Sequence, residues 1–319
     1  AGGDGYRGSV TLEYSASEAI FTRVGSFNAG TSTVLFSQTR DDTTLNSGAI
    51  SFYDLERGKK INGIGTENTA TVQNDLDITN GTFDDGGNQI TGNATGTLTA
   101  ASGANFNLGS TTVGTSFPTL FTNANISLHV DSTVTYQADV AQTISGAPTY
   151  GNIIIYSDGT ISDSTVNVHG DWTCTGTLTP GTSTVYFNGS ESQTVTGDSN
   201  FYNLDITTTA AKTVTFTQDT FVYILSGGSI NFEGALGNLL TLTSSGSGPW
   251  YLRVDPTATT NVTYVNVSES NAGGYKVIYA NDGTVVDGGL NVNWVFATPG
   301  NVITHFERVD LSGVNINTN

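Results

Sequence analysis

Short runs of alternating apolar and polar residues follow one another along the chain, separated by polar, glycine-rich turns. Typical runs are Thr133-Val134-Thr135-Tyr136, Thr165-Val166-Asn167-Val168 and Thr213-Val214-Thr215-Phe216. An apolar side chain at every second position lets one face of a β-strand pack against a core. The turns contain pairs such as Asp158-Gly159 and Asn188-Gly189, which suit tight-turn backbone. The pattern predicts an all-β fold of short strands, with no long amphipathic helix.

A module recurs along the chain. The segment 25–36 returns as 176–187, and a further copy begins at 132–136. The last two copies stay in step, because Gln142-Thr143-Ile144-Ser145-Gly146 corresponds to Gln193-Thr194-Val195-Thr196-Gly197 at an offset of 51 residues (193 − 142). A repeat of this length is typical of proteins that stack one supersecondary unit on the next.

Stacked coils explain the repeat better than separate domains do. A row of small β-sandwiches is the rival, but about 50 residues provide little core for an independent sandwich. We therefore predict a parallel β-helix, or β-solenoid, in which each module supplies about two coils. The predicted body spans residues 23–296, with an N-terminal segment at 1–22 and a C-terminal tail at 297–319.

Both predicted tails lie outside the repeat and contain strand-like runs. A strand from one subunit can complete the open sheet edge of the next subunit. We therefore predict that the tails mediate contacts between copies of the chain. The residues expected to do so are Val10, Leu12 and Tyr14 in the first tail and Val302, Ile303, Phe306, Val309 and Leu311 in the second.

Composition narrows the classes of partner. The 319 residues include 28 acidic and 10 basic ones, giving a net charge of −18. Nucleic acids and anionic membrane surfaces bind clustered Lys and Arg, so neither is an expected partner. No apolar run reaches membrane-spanning length. The absence of Met, the start at Ala1 and the Lys-poor, Thr-rich composition favour a secreted protein, extracellular or on a cell surface.

Part of the repeat resembles a known kind of protein. The stretch 170–189, followed by 193–197 and 201–204, is similar to a repeat of very large bacterial cell-surface and secreted proteins. The segments 264–268 and 293–296 resemble the unit that closes such arrays. The resemblance implies a β-helix in an adhesin-like or structural surface protein. It implies no catalytic residues.

Few residues suggest chemistry. Asp84, Asp85 and Asn88 are weak candidates for a calcium site, and turn stabilisation is the simpler interpretation. His129 and His169 each precede an Asp by two positions, which places both side chains on one face of a strand, but two ligands do not make a metal site. The single cysteine, Cys174, has an alternating setting typical of a buried core residue.

Three functions remain open from the sequence. The first is a non-enzymatic structural subunit of an extracellular filament or surface assembly that polymerises head to tail. The second is an adhesin or carbohydrate-binding module, for which Trp250-Tyr251 and Tyr275 are candidate sugar-stacking residues and surface glycans are the partner. The third is a polysaccharide lyase or hydrolase, which needs several acids from successive coils in one groove, with Arg253 among the few candidate basic residues.

Overall fold

The structure is a computed structural model that describes residues 70–297 in full and, N-terminal to them, only the backbone of the strands between residues 9 and 69. A single turn of 3₁₀ helix, Asn123–Asn125, accompanies the strands of this described part. In chain order the strands are β1 (Ser9–Thr11), β2 (Ala19–Thr22), β3 (Thr33–Phe36), β4 (Thr43–Asn46), β5 (Ile50–Phe52), β6 (Asp54–Arg57), β7 (Ile61–Ile64), β8 (Thr69–Val72), β9 (Leu76–Ile78), β10 (Thr82–Asp84), β11 (Gln89–Thr91), β12 (Leu98–Ala100), β13 (Asn105–Leu108), β14 (Ile126–Leu128), β15 (Thr133–Tyr136), β16 (Gln142–Ile144), β17 (Thr149–Tyr150), β18 (Asn152–Ile155), β19 (Gly159–Ile161), β20 (Thr165–Val168), β21 (Trp172–Cys174), β22 (Leu178–Thr179), β23 (Thr184–Phe187), β24 (Gln193–Thr196), β25 (Ser199–Thr207), β26 (Lys212–Phe216), β27 (Phe221–Glu233), β28 (Leu240–Ser244), β29 (Trp250–Val254), β30 (Thr259–Thr263), β31 (Val265–Ser268), β32 (Ser270–Asn271), β33 (Ile278–Ala280), β34 (Val286–Gly289) and β35 (Trp294–Phe296).

Successive strands join different sheets in turn. A thirteen-stranded sheet runs in the order β2-β4-β7-β10-β13-β15-β18-β21-β24-β26-β28-β31-β34. A six-stranded sheet, β1-β3-β6-β9-β12-β14, and an eight-stranded sheet that begins at β17 take intervening strands. Two three-stranded sheets, β5-β8-β11 and β16-β19-β22, take the rest up to β22. These ladders are parallel, so the predicted parallel β-solenoid is confirmed.

The sheet register gives the length of a coil. In the thirteen-stranded sheet Val134 pairs with Ile153, and Ile153 pairs with Trp172, so each of these coils is 19 residues long (153 − 134 and 172 − 153). Farther along, Val214 pairs with Leu242, a coil of 28 residues (242 − 214). The coils lengthen where their loops are longer, while the paired strands keep their alternating burial.

The sequence module and the coil have different periods. Val134 lies in β15 of the thirteen-stranded sheet, whereas its equivalent 51 residues later, Val185, lies in β23 of the eight-stranded sheet. Eight strand steps separate the two, and these coils contribute three strands each, so one module makes about two and two-thirds coils. The expectation of two coils per module is corrected. Equivalent residues lie on different faces and do not stack directly on one another.

Large apolar side chains fill the interior. Trp172, Trp250, Phe187, Phe201 and Phe216 are all fully buried. The rings contact one another from coil to coil, as in the stacked pair Phe216 and Trp250, whose centroids are 4.0 Å apart. Cys174 is buried among them, as its alternating setting predicts. The core is therefore continuous from Ala70 to Trp294.

The solenoid begins before residue 23. Strand β1 pairs with β3 in parallel register, with Val10 opposite Val34, and β2 pairs with β4. These two strands are the first members of the six-stranded and thirteen-stranded sheets. The segment 1–22 therefore contributes strands to the body of its own chain, which moves the start of the body to β1.

Candidate functional site

The three calcium candidates form a hydrogen-bonded turn between β10 and β11. The carboxylate Oδ1 of Asp85 accepts hydrogen bonds from the backbone amides of Gly87 and Gly109, each at 2.8 Å. The hydroxyl of Thr115 donates to the Oδ2 atom. Asn88 donates from Nδ2 to the backbone oxygen of Asp85 at 3.0 Å. This buried carboxylate therefore ties its own turn to the following coil.

Asp84 also accepts two hydrogen bonds, at the surface of this turn. Its Oδ1 accepts from the amide of Gly86 at 2.8 Å, and its Oδ2 accepts from Nε2 of Gln137 at 3.0 Å. Within the described residues, no group of three or more His, Cys, Asp or Glu side chains is arranged to hold a metal ion. We interpret Asp84, Asp85 and Asn88 as structural residues whose hydrogen bonds stabilise this turn and join neighbouring coils.

Asp85 should make stability depend on pH. Burial raises its pKa from 3.8 to about 7, against the lowering effect of the donors from Thr115, Gly87 and Gly109. Between pH 4 and 7 the folded state keeps a proton that the unfolded state has released, so stability is highest below pH 4 and falls as pH rises through 7. The expected loss is on the order of 3–4 kcal/mol at most. Urea unfolding at about pH 4 and about pH 7.5, at the two ends of this window, measures the loss of stability.

The control is Asp85→Asn, which keeps the Oδ1 acceptor for the two backbone amides and cannot ionise. The variant should lose much of the fall in stability that the wild type shows between the two pH values. An equal fall in both proteins would show that another group is responsible.

The histidine pairs do not form a common site. Nδ1 of His129 lies 3.4 Å from Oδ2 of Asp131 on the exposed surface. Asp171 instead accepts a hydrogen bond from the amide of Thr194 at 2.6 Å. Partial burial and the charge of Lys212 lower the pKa of His169. The third histidine, His305, lies outside the described residues.

Buried polar side chains hold backbone carbonyls of neighbouring coils. Gln142 donates from Nε2 to the carbonyls of Leu108 and Thr115 at 3.1 and 2.9 Å. Its repeat equivalent, Gln193, donates to the carbonyls of Val168 and Gly170. The repeated glutamines therefore have the same structural role, although they lie in different sheets.

Lys212 continues this arrangement one coil farther along. Its Nζ donates to the carbonyl of Phe187 at 2.7 Å and to Oε1 of Gln193. The side chain is buried, and desolvation lowers its pKa from 10.5 to about 8. The ammonium group thus replaces a glutamine amide as the donor to the end of the preceding strand.

The aromatic candidates have two different positions. Trp250 is fully buried and its Nε1 donates to the carbonyl of Ser268 at 3.1 Å. Tyr251 stacks on Phe221 with ring centroids 4.4 Å apart and an interplanar angle of 7°. The guanidinium of Arg253 lies 4.8 Å from the centroid of the Tyr251 ring. Phe221 thus covers one face of the Tyr251 ring, and the guanidinium lies beside the stacked pair, 5.5 Å from the centroid of the Phe221 ring.

Arg253 also holds the loop that carries Tyr275. It donates to the carbonyls of Asn271 and Gly273 at 3.0 and 2.9 Å, and its guanidinium lies 5.2 Å from the centroid of the Tyr275 ring. We interpret the set as an external ladder of stacked side chains that joins the last coils.

A groove of about 670 Å³, which the sequence did not indicate, lies at one corner of the solenoid. It forms where loops after four strands, β23, β25, β27 and β30, reach the same side. Each loop is unremarkable alone, and only the stacking of coils brings them together. We call this the corner groove; it is lined by Asn188, Gly189, Ser190, Thr207, Thr208, Thr209, Ala210, Glu233, Gly234, Ala235 and Tyr264.

The last described coil exposes apolar side chains. Leu290, which follows β34, is 76% exposed. Val286, Val292 and Val295 are between 39% and 48% exposed. Strand β34 pairs with β31 on one edge and has no partner among the described residues on the other. We call these four residues and the open edge of β34 the end face.

The predicted assembly residues cannot be placed beside this end face directly. Val10 lies in β1, where only the backbone is described. The other seven lie outside the described residues: Leu12, Tyr14, Val302, Ile303, Phe306, Val309 and Leu311. Their role stays a prediction.

Comparison with known proteins adds no relative. No family model matches the chain, and neither the curated proteins nor the solved structures contain a match. The resemblance to bacterial surface-protein repeats therefore stays a prediction. No helix in the described part of the chain is long and apolar enough to cross a membrane.

Proposed function

We propose that this chain is a non-enzymatic structural subunit of a secreted, extracellular filament or cell-surface assembly, in which copies join head to tail at the ends of the solenoid. The end face carries the proposal. A parallel sheet edge with unpaired amides and carbonyls is a template for another strand. The exposed side chains of Leu290, Val292 and Val295 would add apolar burial to those backbone hydrogen bonds.

The two ends of a parallel solenoid differ, which favours a head-to-tail contact. All strands of one sheet point the same way, so the edge of β1 or β2 can pair with the edge of β34 in the same parallel sense as within the chain. Such heterologous contacts build open filaments. In this proposal the terminal strands predicted from the sequence contribute to the junction.

The net negative charge of the chain makes copies repel one another, so assembly depends on attraction at the end face. With a net charge of −18, copies repel one another over roughly 8–10 Å at moderate ionic strength. Attraction must therefore come from the surfaces that meet, through apolar burial and backbone hydrogen bonds.

Placing charges on the end face should prevent assembly. In the double variant V286K/V292K, each junction would bury two ammonium groups without partners, so we expect assembly to be lost. Sedimentation velocity over a range of protein concentrations measures it, and circular dichroism checks folding.

The matched control is V113K/V140K. Val113 and Val140 are 44% and 42% exposed, close to the 46% of Val286 and 48% of Val292, but lie away from the end face. We expect this control to assemble like the wild type. Assembly that persists in V286K/V292K, or a wild type that stays monomeric at every concentration, would exclude the proposed junction.

A further inference from the structure

We propose that the corner groove binds an uncharged oligosaccharide that lies along the solenoid axis. The groove lies on the side of the solenoid and none of the end-face residues lines it, so this binding does not require the proposed assembly. It would give each subunit of an assembly its own sugar site.

The shape of the groove suits a chain of repeating units. Its wall consists of loops from successive coils, and parallel strands are spaced about 4.8 Å apart. Similar polar groups therefore recur along the axis, as they do along an oligosaccharide. A cavity of about 670 Å³ is large enough for a ligand of several rings.

One wall is built before any ligand arrives. The amide of Ala235 donates to the carbonyl of Asn238, and the amide of Asn238 donates back, both at 2.8 Å. The side chain of Asn238 also donates to the carbonyl of Thr209 at 3.2 Å, which joins this loop to the loop of the preceding coil. A preformed wall reduces the entropy lost on binding.

The chemistry of the lining favours a neutral, hydroxyl-rich ligand. Hydroxyl groups from Ser190, Thr207 and Thr209 and the carboxylate of Glu233 offer donors and acceptors. No Lys, Arg or His is among the lining residues, and Glu233 is negative, so phosphate, sulfate and uronate groups lack a counter-charge there.

Tyr264 supplies a flat apolar surface at a fixed position. Its backbone has φ +52°, a left-handed conformation that is costly for a bulky residue. Its amide donates to Oγ1 of Thr284 at 2.8 Å, and its carbonyl accepts from the amide of Leu240 at 3.0 Å. These contacts fix the backbone of Tyr264 at the groove that it lines, and in this proposal a sugar ring packs against its side chain.

Calorimetric titration of the full chain tests the site. The probes are three uncharged oligosaccharides, cellohexaose, xylohexaose and mannohexaose, with the anionic hexagalacturonate for comparison. The expected result is binding of at least one uncharged probe, no binding of the anionic probe, and at least about tenfold weaker binding by Tyr264→Ala. Tyr264→Gly, which also relieves the backbone strain, serves if the alanine variant folds poorly.

The matched control is Tyr279→Ala, which removes an exposed tyrosine away from the groove and should bind like the wild type. The single variant V292K, which changes the end face where it adjoins Asn271 and not next to Thr284, should also bind like the wild type, which separates this site from the proposed assembly. Absence of binding by all three uncharged probes, preference for hexagalacturonate, or full binding by Tyr264→Gly would overturn the proposal.

Discussion

Replacing Gly197 with alanine is expected to destabilise the protein strongly, because the backbone of the preceding coil occupies the space that a side chain needs. A Cβ atom at Gly197 would lie 1.8 Å from the carbonyl oxygen of Cys174. This neighbour is paired backbone in the centre of the thirteen-stranded sheet, so it cannot move aside alone. The backbone also has φ +80°, which alone costs a non-glycine residue about 1–2 kcal/mol. We expect a total loss above about 3 kcal/mol.

Gly237→Ala separates the two causes. Gly237 has φ +79°, nearly the same as Gly197, but nothing lies within 4 Å of its added Cβ. This control should show only the conformational cost, and urea unfolding of both variants measures the difference. If the two substitutions lower the free energy of unfolding equally, the coils do not approach each other at Gly197 as closely as described.

Trp172→Ala should have an effect of similar size through the core. The indole is fully buried, with ring centroids 5.5 Å from Phe201 and 6.1 Å from Phe187. Its Nε1 donates to Oγ of Ser199 at 3.0 Å. Truncation leaves a cavity between coils and a buried hydroxyl without its donor, and such changes cost about 3–5 kcal/mol.

Two further variants show where that loss arises. Trp172→Phe retains much of the packing and removes the hydrogen bond, so it should cost less than half as much. Tyr156→Ala removes an aromatic ring that is 55% exposed and should change stability by less than about 1 kcal/mol. A Trp172→Ala protein as stable as Tyr156→Ala would contradict the described core.

Much of the fold follows from local sequence pattern. The alternation at Thr213–Phe216 predicts a strand with buried Val214 and Phe216, and the structure has both. The repeat also marks residues with a fixed local role. Ser132 and its equivalent Ser183 each donate from Oγ to the carbonyl three residues earlier, at 2.7 Å.

The number of coils per module could not be predicted, because it depends on how the chain turns between strands. The same local unit of strand, turn and strand fits any face of the solenoid. Gln142 opens a strand of a three-stranded sheet, whereas Gln193 opens one of the thirteen-stranded sheet. The constant offset between repeat copies therefore does not correspond to a whole number of coils.

The sites were harder to predict than the fold. The sequence favours a turn role for Asp85 over a calcium site, but it does not show that amides from Gly87 and Gly109 reach its carboxylate. The corner groove depends on loops from several coils, and the end face depends on which strand comes last. Both are products of stacking, and a linear pattern carries no signal for them.

Electron microscopy of the purified wild-type protein tests head-to-tail assembly of the solenoid. We expect unbranched filaments whose axial repeat is at least roughly 60 Å, the rise of thirteen parallel strands spaced about 4.8 Å apart. Separate short rods at every protein concentration would contradict it.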